Sequence, residues 1–351
     1  MVKRSGRPGN YAYTVARVKA KKSKLLKEED YNKMLQLSVP EVARYISDAG
    51  YSKEVTDLAS QHGGIDLVEY ATYSNMANVF TSILGSSQGE LKDMVAAYLE
   101  KWDIWNLKVI LRGKSYGLDA AGLKEDLVPA GKLDDEDLEK LIAMDSAEDI
   151  ISAFAKMMSM NAADLVNAYK GAANGLGDLE DEMDKRYYTR LLSRINPSTR
   201  PGHMFQDWVR TEIDAKNIET ILKLKAEGIY GDVVMKYFIP GGKEIDTRLA
   251  TQMANEETVA GVVNDASQLQ FADFLKELVE DDKVLIRDVV HEINKYEIAQ
   301  AAKFSHMYPL SMVPVIDYMI HKENEVANIR TIARGIESGL DSETIKGLLV
   351  I

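Results

Sequence analysis

The chain has 351 residues, no cysteine and a formal net charge of −12 at pH 7. Without cysteine there is no disulfide, thiol catalysis or cysteine-bound zinc, and an acidic balance argues against nucleic acid as the main partner, because phosphate binding needs a basic footprint. With 46% hydrophobic and 28% charged residues, the composition is that of a soluble globular protein whose length suits two or three domains better than one core.

The opening residues, Met1-Val2-Lys3-Arg4-Ser5, lack an apolar signal core, so no leader is expected. Tyr11, Val15, Val18, Leu25 and Leu26 recur at helical steps and predict a helix over 11–37. From Lys3 to Lys27 the chain carries nine Lys or Arg and no acid, most densely at Lys21, Lys22 and Lys24. A solvated face is the ordinary reading of such a run; a patch for an acidic partner surface or for lipid head groups is the alternative. Ser38-Val39-Pro40-Glu41 then starts a second helix, with Ser at the N-cap, Glu three residues on and Pro inside the first turn. The longest uncharged run, Tyr70 to Gly89, contains Asn75, Asn78, Ser86, Ser87 and Gln88 and is too polar to span a bilayer. The chain itself is not expected in the membrane.

A short segment is then written three times at one spacing. Asp103-Ile104-Trp105-Asn106-Leu107 is followed by Asp214-Ala215-Lys216-Asn217-Ile218 and by Glu325-Val326-Ala327-Asn328-Ile329, and successive asparagines lie 111 residues apart. The same shift carries Gly117 onto Gly228 and Gly339. Between the first two copies the match continues to Pro129-Ala130-Gly131-Lys132 and Pro240-Gly241-Gly242-Lys243. Nine of the thirty positions from Asp103 to Lys132 are identical, where composition alone gives about two. A period that nearly divides the chain by three predicts three related modules, at residues 1–128, 129–239 and 240–351.

In each copy the acid, the asparagine and two aliphatics fall at i, i+3, i+4 and i+7, one face of a helix. An acid and an Asn inside an apolar stripe need hydrogen-bond partners, or each costs about 1–3 kcal/mol. Asp103, Asn106, Asp214, Asn217, Glu325 and Asn328 therefore either pin a neighbouring loop within each module or face a common axis and line a central opening.

Each module also carries a capped helical hairpin. Leu133 to Leu141 parallels Leu26 to Met34, Asp145-Ser146-Ala147-Glu148 parallels the capping box at Ser38, and Leu249 to Thr258 gives a third version with Asn255 as the expected cap. Gly- and Pro-rich punctuation falls between these pieces, and alternating β-branched patterns are nearly absent. The fold class predicted is all-α.

Little in the chain carries catalytic chemistry. Gly113-Lys114-Ser115 is not a phosphate-binding loop, because Lys108 stands where the first glycine is required and a helix precedes it. Gly175-Leu176-Gly177 reads as a loop leading into a helix. Only His321 and Glu325 have a metal-like i, i+4 spacing, and one such pair without a second is ordinarily a surface contact. No cofactor or metal is expected. A carboxylate metalloenzyme on His321 and Glu325 is the weakest of the functional readings, and a helical repeat scaffold for cytosolic proteins is stronger, although solenoids repeat every 20–50 residues.

The tail carries a more specific signal. Pro309-Leu310-Ser311-Met312-Val313-Pro314-Val315-Ile316-Asp317-Tyr318, followed by Lys322-Glu323-Asn324-Glu325-Val326-Ala327-Asn328-Ile329-Arg330, resembles the C-terminal signature of the C subunit of archaeal and bacterial A/V-type rotary ATPases, a family that includes the d subunit of the eukaryotic V-type enzyme. Tyr11 to Ala20 is similar to that family's opening. The resemblance implies a funnel of three similar helical domains with a pseudo-threefold repeat, seated on the cytoplasmic side of the cell membrane. It implies central-stalk subunits and membrane rotor-ring subunits as partners, contact with the membrane only through the ring, and a non-catalytic role in coupling ion transport to ATP synthesis.

Overall fold

In the computed structural model, residues 7–124, 126–171, 176–270, 275 and 286–351 are described, and every regular element among them is helical. In chain order the helices are α1 (Tyr11–Lys22), α2 (Glu28–Met34), α3 (Val39–Ile46), α4 (Ser52–Leu58), α5 (Gly64–Ser86), α6 (Gly89–Ser115), α7 (Ala120–Lys124), α8 (Asp135–Ile142) and α9 (Ala147–Met157). They continue with α10 (Ala162–Lys170), α11 (Leu176–Arg194), α12 (Arg200–Ala226), α13 (Asp232–Tyr237), α14 (Thr247–Asn255), α15 (Val259–Ala266), α16 (Ile286–Met307), α17 (Val313–Glu337) and α18 (Ser342–Lys346). A single π-type turn, Ser47–Tyr51, joins α3 to α4 around Gly50, whose φ is +106°.

The helices gather into two compact units. Residues 1–180 and 318–351 make the first, and residues 181–317 the second. In the first unit Tyr31, Met34, Val42 and Ile46 from the N-terminal hairpin pack with Val68 of α5 and with Ile329, Ile332 and Ala333 of α17. The two ends of the chain thus share one core. In the second, Ile218, Ile221 and Leu222 of α12 pack with Val234, Ala250, Met253, Val262, Val263, Val289 and Ile293, a core drawn from one continuous stretch of sequence. Each fully buried aliphatic of this kind stabilises by about 1.5–3 kcal/mol relative to exposure.

Local rules set the helix ends. The amide of Ser38 donates to Glu41 at 2.8 Å, which completes the capping box expected there. The predicted helix over 11–37 is two helices instead. Ser23 ends α1, and Lys27 caps α2 with its amide donating to Asp30 at 2.9 Å. Between them the Leu26 amide donates to a distant carboxylate, that of Glu325. In the second hairpin the cap of α9 is Ser146, which accepts from the Asp149 amide, one residue later than the sequence parallel suggests. In the third, Thr258 caps α15 by accepting from the Gly261 amide, whereas Asn255 ends α14 and donates to the Thr251 carbonyl. Gly113, Lys114 and Ser115 form the last turn of α6 rather than a loop, and Val313 to Ile316 begin α17. Gly175 lies outside the described residues; α11 starts at Leu176.

The three long helices that carry the repeated segment end alike. After α6, α12 and α17 the chain turns through Gly117, Gly228 and Gly339, with φ of +75°, +75° and +70°. The next amide reaches back five residues: Leu118 to Gly113, Ile229 to Leu224 and Leu340 to Gly335, each at 2.9 Å. These are Schellman caps, and their left-handed residue strongly favours glycine.

Candidate functional site

The six repeated polar side chains all turn into protein, and five of them hold the stretch just beyond the short helix that follows their own, α7, α13 or α18. On α6, Asp103 and Asn106 are fully buried. Asn106 donates its amide to the Val128 carbonyl and accepts the Val128 N–H, both at 2.8 Å. Asp103 accepts the N–H of Lys132 at 2.8 Å and of Leu133 at 2.9 Å. On α12, Asn217 makes the same reciprocal pair with Ile239, both at 2.8 Å. Asp214 there accepts from Lys243, Glu244 and Ile245, at 2.8, 2.7 and 3.1 Å. On α17, Asn328 pairs with Val350, donating at 2.8 Å and accepting at 3.1 Å. Val128, Ile239 and Val350 are themselves 111 residues apart, so helix and held residue recur together.

The physical logic is one of substitution. A residue leaving a helix-to-loop turn exposes its N–H and C=O at once, and buried backbone groups must be paired. A primary amide offers donor and acceptor side by side and matches a single peptide unit on both counts. A carboxylate offers only acceptors and gathers two or three consecutive N–H groups. Burial raises the Asp103 carboxyl more than the Lys132 and Leu133 amides lower it, which leaves it at about 7. Asp214 is raised for the same reason, opposed by three amides. The unfolded Asp103 carboxyl ionises first, so its contribution falls as the pH rises from the ordinary 3.8 to about 7.

A glycine lets each loop come this close. A Cβ on Gly131 would stand 2.4 Å from the Asp103 carboxyl, and one on Gly242 would stand 1.9 Å from Asp214 Oδ1. Gly242→Ala should therefore destabilise the protein by about 3 kcal/mol, a clash followed by partial loss of the amide bonds. Urea denaturation checks this, and an unchanged midpoint would show that the loop is not clamped. Sequence comparison of the first two copies contains the signal for these glycines, since Gly131 and Gly242 align; only their contact with the acid is new.

The third copy differs at the acid. Glu325 is one methylene longer than Asp and does not hold the loop after its own helix. Its Oε2 accepts the Leu26 N–H at 2.6 Å, and its Oε1 accepts the Tyr51 hydroxyl at 2.6 Å and the Lys322 ammonium at 2.8 Å. Lys322 also donates to the Tyr51 oxygen at 2.8 Å and lies 4.0 Å from that ring's centroid. Burial lowers the Lys322 ammonium, and Glu325 opposes that shift. Neighbouring side chains complete the tie. Glu54, buried on α4, accepts from Asn75 and Asn78 of α5, each at 2.9 Å. Arg330, also buried, lies 3.7 Å over the Tyr73 ring and reaches Asp126 at 2.8 Å and Glu69 at 3.2 Å. Tyr51, Lys322 and Arg330 carry no periodic signal that sequence reading could have used.

The other candidates lie apart from these loops. On α1, Lys21 and Lys22 are half-buried, and Lys24 is exposed just beyond the helix end. Among the described residues there is no group of three His, Cys, Asp or Glu able to hold a metal, and no helix is long and apolar enough to cross a membrane.

The sequence model of the ATP synthase (C/AC39) subunit family matches residues 14–348. The chain is 35% identical over 356 residues to the C subunit of the A-type ATP synthase of Methanococcoides burtonii, covering 100% of this chain and 97% of that protein. It is 33% identical to the protein of the same name from Methanosarcina mazei, over 97% of this chain and 93% of that one. With the Halobacterium salinarum protein, again of that name, the identity is 32%, over 98% of both chains.

Proposed function

The chain belongs to the ATP synthase (C/AC39) subunit family, and from that premise we propose that it is the adaptor between the central stalk and the membrane rotor ring of an A/V-type rotary ATP synthase, carrying torque from one to the other. It is a non-catalytic subunit, and its partners are other subunits of that complex. The observation that carries the proposal is the match itself, which runs along nearly the entire chain rather than over one motif.

A torque-carrying part must resist shear without catalytic groups of its own. Supporting this reading are three helices of 27, 27 and 25 residues, each about 40 Å long, whose following loops or distant partners are fixed by buried side chains. In this reading the repeated helix-and-loop units are the walls of a funnel with pseudo-threefold organisation, divided near residues 1–128, 129–239 and 240–351. The funnel receives the foot of the stalk and sits on the cytoplasmic face of the ring, which moves protons or sodium ions.

The test is recovery of the complex. A tagged copy of the chain, purified from the host's membranes in mild detergent, should bring down central-stalk and ring subunits in fixed ratio. Recovery of the catalytic head alone, with neither stalk nor ring, would end the adaptor reading.

A further inference from the structure

The outward face of α1 has a composition that packing inside this chain does not explain. Thr14, Val15 and Val18 are buried, and α1 packs on α5 through that side. The opposite side presents Ala12, Ala16 and Ala20, all exposed, at successive i, i+4 positions that form one lane along the helix. Lys19 borders the lane on one edge and Tyr13 and Arg17 on the other, Lys24 follows just past the helix end, and all four are exposed.

Cations in the last turn, such as Lys19 and Lys21, offset the helix dipole, but Arg17 precedes that turn and Lys24 follows it. Their charges are not relieved locally. Arg17 donates to the Tyr13 hydroxyl at 2.9 Å rather than to a carboxylate, and both Arg17 and Lys24 lie close enough to Lys21 to lower its ammonium. A protein of net charge −12 has thus concentrated positive charge along one lane of one helix. From the Arg17 edge an open groove of about 670 Å³ continues between Tyr13, Ser82, Ser86 and Gln88, side chains that donate and accept hydrogen bonds.

We propose that this lane is a docking surface for an acidic α-helical segment of another protein. Alanines let a second helix approach to the short end of the usual 8–10 Å interaxial range, and cations on both edges meet carboxylates flanking the partner's own contact stripe. A membrane surface fits less well. A helix lying in the interface presents Trp, Phe or Leu to the lipid, whereas this face offers alanine and one tyrosine, leaving only charge attraction. That the partner is another subunit of the same complex rests on the adaptor reading above.

The test uses the full chain in its complex. The triple variant Arg17→Glu/Lys19→Glu/Lys24→Glu should melt as the unaltered protein does, since none of the three is buried, yet its retention in the detergent-solubilised complex at 0.15 M salt should fall about tenfold or more. Ala16→Trp, which fills the lane without changing charge, should give the same loss. A photo-crosslinking residue at Ala16 should capture a peptide rich in Asp and Glu. Full retention of both variants would overturn the proposal. So would a triple variant that stays in the complex but no longer sediments with phosphatidylglycerol vesicles, an outcome that would assign the lane to lipid. If the unaltered chain is absent from the complex, the adaptor reading falls, and the crosslink from Ala16 alone then decides the docking proposal: an acidic peptide supports it, and no captured peptide overturns it.

Discussion

Replacing Glu325 by Leu should lower the unfolding free energy by about 3–5 kcal/mol, the cost of leaving one member of a buried ion pair without its partner. Three groups lose their acceptor at once: the Lys322 ammonium, the Tyr51 hydroxyl and the Leu26 amide. Both charged side chains are nearly inaccessible, at 6% and 4%, so water cannot replace the carboxylate without opening the core. Urea denaturation gives the loss, and its pH dependence identifies the cause. Lys322 already sits below the ordinary 10.5 through burial, and without Glu325 it falls further. The unfolded lysine then holds its proton where the folded one does not, so the variant should regain stability as the pH rises towards 10.5. Adding Lys322→Met should restore more than half of the loss. A single variant as stable as the parent, or a double variant no better than the single, would mean that Glu325 does not tie α17 to Tyr51 and Leu26 at the other end of the chain.

Asn217→Leu should cost about 2–4 kcal/mol. The substitution deprives the buried N–H and C=O of Ile239 of their partners, each worth about 1–3 kcal/mol, and the added apolar burial returns only part of that. Asn106→Leu should cost about as much, because Val128 is held identically. Asn328→Leu should cost less. Val350 is only partly buried, and its carbonyl keeps a bond from Asn324 at 2.8 Å. The alternative use of these positions, lining an opening for a stalk, gives the opposite pattern: Asn217→Leu would melt with the parent and lose only its place in the complex. Melting temperature and complex recovery on one variant therefore decide between the two.

The parts of this architecture governed by short-range chemistry are readable in the sequence. The capping box at Ser38 and Glu41 forms as its residue types require, and the placing of acid and Asn at i and i+3 puts both on one helix face. The spacing of 111 residues also locates Val128, Ile239 and Val350 once one of their partners is known. What the sequence hides is long-range. The break at Ser23–Lys27 interrupts a helical period that continues through it, because the Leu26 amide is claimed by Glu325, 299 residues away. Asn255 is by type the better cap, and only the path of the backbone selects Thr258. The change from Asp to Glu in the third copy looks conservative. Its extra methylene goes with a different set of partners, drawn from the other end of the chain.

That last contact sets the order in which the molecule can be completed. The core of residues 181–317 is available as soon as those residues have left the ribosome. The hairpin at 26–58 emerges early and must wait for α17. At ordinary translation rates of about 5–20 residues per second the delay is roughly 15–60 s. During that time Met34, Val42 and Ile46 lack their final cover. A truncated product ending before residue 325 would keep them uncovered, which makes an unfinished chain a natural target for chaperones and proteases.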